Sequence, residues 1–172
     1  MTTLVVGLGN PILTDDGVGV LVARAVEQAL AKHCEVEVVE ASIGGLRLME
    51  MMVGYDRVIL VDALLGSGKP AGTVQRMRLE DVGVMAPTQH LASAHDATLQ
   101  TALEAGRRMG LPLPGDVIIF AVSAQNVVDF GEQLTPAVQA AVPIATAAVL
   151  AELARPAGTS AMEESTAWVD HN

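Results

Sequence analysis

Residues 3–8 are apolar with little alternation, the pattern of a strand covered on both faces. From Asp16 to Lys32 the apolar positions Val18, Val22, Ala25, Val26, Ala29 and Leu30 recur at helical spacing. Glu35–Glu40 predicts a second strand, Leu46–Val53 a Met-rich helix, and Arg57–Val61 a third buried strand ending at Asp62-Ala63. Thr73–Arg78 is more polar and suits a sheet edge. Ala97–Met109 predicts a helix, Val117–Val122 a fifth strand and Thr135–Ala154 a long closing helix. Pro136 suits the first turn of that last helix, whereas Pro143 should kink it or remove one hydrogen bond. Gly44-Gly45, Gly66–Pro70 and His90–Asp96 read as loops, and from Arg155 onward small and polar residues predict a frayed tail.

Strand, helix, strand, helix, strand is the order of a largely parallel α/β sheet with helices on both faces. One domain over residues 1–154, followed by a flexible tail over 155–172, accounts for a chain of 172 residues. Composition narrows the functional classes. A formal net charge of −10 and only 2% aromatic residues argue against a nucleic-acid surface. No basic leader precedes the first strand and no apolar run reaches about 18 residues, so a cytoplasmic chain without a membrane span is expected. The single Cys34 permits no internal disulfide or cysteine-rich metal site and reads as a buried thiol. Met49, Met51 and Met52 read as core packing.

Chemistry concentrates where the first strand ends. Gly7-Leu8-Gly9 starts like a dinucleotide cradle, but Ile12 stands where the third glycine belongs, and Asp15-Asp16 put negative charge at the helix start. Glu40, closing the second strand, imitates a ribose-binding acid and keeps an oxidoreductase reading open. Gly66-Ser67-Gly68-Lys69 fails as a phosphate loop, because Ala63 replaces its first glycine and Pro70 its Ser or Thr. There is no His-Glu-x-x-His and no Gly-x-Ser-x-Gly, so zinc-peptidase and serine mechanisms find no support.

In open α/β sheets ligands bind beyond the carboxyl ends of the strands, where strand order reverses. If the order runs two-one-three, Asp16 after strand one and Asp62 closing strand three converge there, and the loop Ser93-Ala94-His95-Asp96 can fold over the same edge. Two carboxylates and an imidazole make a three-ligand site for a divalent transition metal with open positions for water or substrate. Each residue also has a plainer reading. Asp15 suits an N-cap of the following helix, Asp16 a first-turn acid favoured by the helix dipole, and His95 a loop-to-helix cap with His90 as a rival. Asp62 is harder to explain structurally, because it interrupts an apolar strand end where an uncompensated charge is costly. His33 and His171 read as surface residues.

Four blocks in order resemble the maturation endopeptidases of [NiFe] hydrogenases. They are Gly7-Leu8-Gly9-Asn10-Pro11-Ile12-Leu13-Thr14-Asp15-Asp16-Gly17-Val18-Gly19, then Val61-Asp62-Ala63 followed by Ala71-Gly72-Thr73. Ser93-Ala94-His95-Asp96 with Leu99 and Leu103 comes third and selects His95 over His90; Gly131-Glu132-Gln133-Leu134-Thr135-Pro136-Ala137-Val138 comes last. The resemblance spans roughly residues 4–153.

It implies a three-layer α/β/α fold with a mostly parallel sheet of about five strands. It also implies an endopeptidase that removes the C-terminal extension of a hydrogenase large-subunit precursor after nickel insertion. Asp16, Asp62 and His95 would contact nickel carried by that precursor, with Asp16 and Asp62 as the catalytic candidates. The partner would be the large-subunit precursor, met by a monomer, with no nucleic acid and no membrane. Where the family often has Glu, this chain has Asp16, and where it often has Gly-Gly-Thr after strand two, this chain runs Ala41-Ser42-Ile43-Gly44-Gly45. The alternatives are a nucleotide-binding oxidoreductase and a non-catalytic chaperone of the nickel-loaded precursor.

Overall fold

A computed structural model describes residues 1–30, 35–79, 98–155 and 167–168. In chain order these contain β1 (Thr3–Leu8), a 3₁₀ turn (Thr14–Gly17), α1 (Val18–Leu30), β2 (Val36–Ala41), α2 (Gly45–Met51), β3 (Arg57–Leu65) and β4 (Val74–Arg78). There follow α3 (Leu99–Arg108), β5 (Asp116–Ala124), α4 (Pro136–Leu153) and the two-residue β6 (Ala167–Trp168). The described strands form one sheet in the order β2-β1-β3-β5-β4-β6. Strands β2, β1, β3 and β5 are parallel; β4 runs antiparallel to β5, and β6 antiparallel to β4.

The chain starts in the middle of the sheet, steps to β2, then returns past β1 to β3. Right-handed crossovers put the two connecting helices on opposite faces. Period-two alternation along each strand then divides the core. Val5, Ile59, Val61, Ile118 and Phe120 pack beneath α1 and α4, contacting Val18, Val22, Ala141 and Val149. Leu4, Val6, Leu60, Ile119 and Met77 pack beneath α2 and α3, with Met49, Met52, Ala102 and Leu103. Met49 and Met52 are core residues, whereas Met51, read with them as core packing, is only partly buried.

Several boundaries differ from the sequence reading. The helical pattern expected from Asp16 begins instead as a 3₁₀ turn, and α1 proper starts at Val18. β3 continues past Asp62-Ala63 to Leu65 because β5 runs beside it as far as Ala124. α4 continues through Pro143, which has no N–H to give to the preceding turn, so it lacks one hydrogen bond there, as expected. In the expected tail, Ala167–Trp168 pairs with β4, whose outer edge would otherwise present unpaired N–H and C=O groups. α4 is also long and apolar enough to cross a membrane by length and composition. Its Val138, Ala141, Ala145 and Val149 are core residues, however, and its Glu152 is buried in an ion-pair cluster. Cys34, His33, His90, His95 and His171 lie outside the described residues.

Candidate active site

Pairing between β1 and β3 ends at Gly7 and Val61. Asp62 is the next residue of β3, opposite Ala121 of β5 but beyond the end of its ladder with β1. The chain leaving β1 turns over this point. Gly9 has φ +133, and a Cβ there would overlap the Asp16 backbone carbonyl, so the turn admits only glycine. A Cβ on Gly19 would likewise overlap the carbonyl oxygens of Leu8 and Val61, so the start of α1 lies directly on the β1–β3 seam. The 3₁₀ turn that carries Asp15 and Asp16 thereby packs against β3.

Asp16 and Asp62 are 2% and 0% exposed. The Asn10 backbone N–H donates to Asp16 Oδ2 at 2.6 Å, and the Ala63 N–H donates to Asp62 Oδ1 at 2.9 Å. Two buried carboxylates therefore flank the point where strand order reverses, which is where an α/β sheet presents its ligand site. Carboxylates so placed can take a proton from water or supply oxygen ligands to a divalent metal. Among the described residues no three His, Cys, Asp or Glu side chains form a metal cage. α3, which begins at Leu99, packs with its C-terminal turn near the start of β3 and β5, where Gly54 N–H donates to Pro112 O, so its N-terminus points to the carboxyl edge.

Asp15 has a structural role, but not as a cap of α1. It is fully buried and accepts four hydrogen bonds from distant residues: Thr135 N at 2.7 Å to Oδ1, and Gln125 N, Asn126 N and Thr135 Oγ1 at 3.1, 3.1 and 3.0 Å to Oδ2. It ties the 3₁₀ turn to the β5–α4 loop and to the N-terminus of α4. The same two loops are joined by Thr14 N–H to Gly131 O and by Thr14 Oγ1 to Asp129 O, both at 2.8 Å. Thr14 itself sits at φ +46, a left-handed conformation unusual for a β-branched residue, held by these bonds.

Residues passed over in the sequence complete the edge. Asn10 supplies the amide that Asp16 accepts, and Ser42 Oγ donates to Gly9 O at 2.5 Å, docking the β2–α2 loop on the turn. Both are small polar residues in loops, where sequence alone gives no partner. Glu40 does not act as a free ribose acid: Arg24 Nε and Nη2 donate to its two oxygens at 2.7 and 2.9 Å. The Arg24 hydrogen bond holds the Glu40 carboxyl below its ordinary range, against a smaller opposing effect of burial. The Asn10 amide, which a nucleotide cradle would aim at phosphate, is taken by Asp16. Both observations weigh against the oxidoreductase alternative.

Outside the carboxylates, a cleft of about 310 Å³ is lined by Pro11, Ile12, Leu21 and Leu134, with Arg24 and Glu132 supplying charge. Ile12, Val128 and Phe130, on the two joined loops, are 48%, 68% and 85% exposed.

A doubly wound α/β sheet with buried acids at its switch point defines a small α/β protein with a candidate site at its carboxyl edge. Comparison with known proteins makes the class specific. A family model described as hydrogenase maturation protease matches residues 20–152. The hydrogenase 2 maturation protease of Escherichia coli (strain K12) is 31% identical over 162 residues, covering 94% of this chain and 96% of that protein. The solved E. coli hydrogenase maturating endopeptidase HybD aligns with a TM-score of 0.71 and 27% identity, covering 89% and 92% of the two chains. HybD from Thermococcus kodakarensis, at 22% identity and a TM-score of 0.66, shares the fold over 90% of this chain and 100% of its own. The chain belongs to the hydrogenase maturation protease family.

Proposed function

We propose that this chain is an endopeptidase that removes the C-terminal extension of a [NiFe] hydrogenase large-subunit precursor once nickel is inserted. It would act in the cytoplasm, as a monomer meeting a transient partner. The observation that carries this reading is the pair of buried carboxylates, Asp16 and Asp62, at the β1–β3 switch point of a family of maturation proteases. Asp16, Asp62 and His95 are the proposed contacts to nickel held by the precursor. Exposed Ile12, Val128 and Phe130 beside that edge suit a protein substrate.

Two routes to cleavage are open to this arrangement. Nickel in the precursor polarises the scissile carbonyl or a water, or Asp16 or Asp62 takes the proton of the attacking water while nickel positions the chain. In both, nickel arrives with the substrate and acts as the element of recognition, so the free enzyme has no need to hold it tightly.

The test incubates purified protein with precursor prepared with and without nickel, and reads the C-terminus of the large subunit by mass. Truncation only of the nickel-loaded precursor is expected, together with substoichiometric metal in the purified enzyme. Stable binding of the loaded precursor without truncation would support the chaperone alternative. Equal truncation of both precursors, or one tightly bound nickel or zinc per free enzyme, would overturn the nickel-recognition part.

A further inference from the structure

On β4, Val74 belongs to the core beneath α1 and α4 and Met77 to the core beneath α2 and α3, so alternation puts Gln75 on the face of Met77. Gln75 pairs with Ala121 of β5, and Ala121 pairs with Asp62 of β3. The three residues form one row across the sheet, its outer Cα atoms about 10 Å apart by two strand spacings. The next row on that face toward the strand N-termini of β3 and β5 is Leu60, Ile119 and Met77, wholly apolar. Gln75 is thus a second buried polar side chain level with Asp62, separated from it only by a methyl group.

Gln75 is 1% exposed, and its Nε2 has no acceptor among the described residues. Native interiors seldom leave a buried amide donor unmet, because its lost hydration is not returned. Packing alone would favour an apolar residue here, as Met77 shows two positions on. A carboxamide stays neutral at every working pH, and its N–H suits a carbonyl oxygen rather than a cation.

We infer that Gln75 is a substrate-binding residue whose Nε2–H donates to a main-chain carbonyl of the peptide segment drawn to Asp62. The inference rests on the processing function proposed above. It adds the class of contact: an extended polypeptide held through its backbone along the row, independent of its side chains.

Gln75→Met keeps the approximate shape and removes the donor. Against nickel-loaded precursor it is expected to lower kcat/KM about tenfold or more, chiefly through KM, while Tm stays equal to wild type or rises. Gln75→Glu, which also lacks the N–H, gives the same kinetic readout where the Met variant does not fold. A wild-type kcat/KM in either folded variant, or a fall in Tm with unchanged kinetics, overturns the inference and leaves the processing function standing. A wild-type enzyme that leaves the precursor uncut overturns the processing function itself, and this inference with it.

Discussion

Asp15 and Asp16 are adjacent carboxylates with different work. Asp15 spends both oxygens on four internal donors, so it is fully committed to holding two loops together. Asp15→Ala removes the acceptor of three part-buried backbone N–H groups and should cost about 1–3 kcal/mol, read as a lower urea midpoint at unchanged m-value. Asp16→Asn keeps the side-chain shape and an acceptor for the Asn10 N–H, so it should fold normally and lose cleavage. The structural task of Asp15 was only partly legible. Local rules test Asp15 against the next few amides, whereas its donors lie 110, 111 and 120 positions downstream. Gln75 was equally hidden, because its polarity marked an edge strand while the register that aligns it with Asp62 needed the fold.

At the scale of elements, the site depends on how α1 is seated and how α4 is anchored. Gly19→Ala would drive a methyl into the carbonyls of Leu8 and Val61, lifting α1 and the turn that carries Asp16. A loss of about 1–3 kcal/mol is expected, with cleavage reduced beyond the loss of folded protein.

At the opposite end of the sheet, Glu152 of α4 accepts from Arg57 and Arg76 and lies 3.6 Å from Arg155. Burial pushes the Glu152 carboxyl up, but the Arg76 hydrogen bond and the charges of Arg76, Arg57 and Arg155 outweigh it and hold the group below its ordinary value of 4.5. A depressed folded value means that the stabilisation is full above the unfolded value and is lost as pH falls below about 4.5 toward the folded value. Thermal melts should therefore show a steep acid-side fall in wild type and a shallower one in Glu152→Gln. The variant should also be less stable at neutral pH by about 1–3 kcal/mol, since buried Arg57 loses one of its two carboxylate partners and keeps Asp116 at 3.4 Å. Equal acid slopes would remove the cluster from this account.

Across the whole molecule, the order β2-β1-β3 brings the end of β1 and the end of β3 to the same carboxyl edge. The short unbroken apolar runs and the helical spacing were enough to read the parallel sheet and its helices, since both patterns are local, while the return past β1 was assumed from the common strand order. The lengths of β3 and β5 were not readable, because their last residues are held by each other. Nor was β6, where two residues complete an edge formed about 90 positions earlier in the chain. The placement of Asp16 and Asp62 at the carboxyl edge was legible because the switch-point rule needs only strand order.

The central claim is that cleavage requires both of these acids, buried at the carboxyl edge beside the switch point. The most direct measurement is single-turnover cleavage of nickel-loaded large-subunit precursor by wild type, Asp16→Asn and Asp62→Asn proteins of matched Tm, read by C-terminal mass. Wild type should truncate the precursor, and each variant should be slower by at least about a hundredfold. Truncation at the wild-type rate by either variant would contradict the claim.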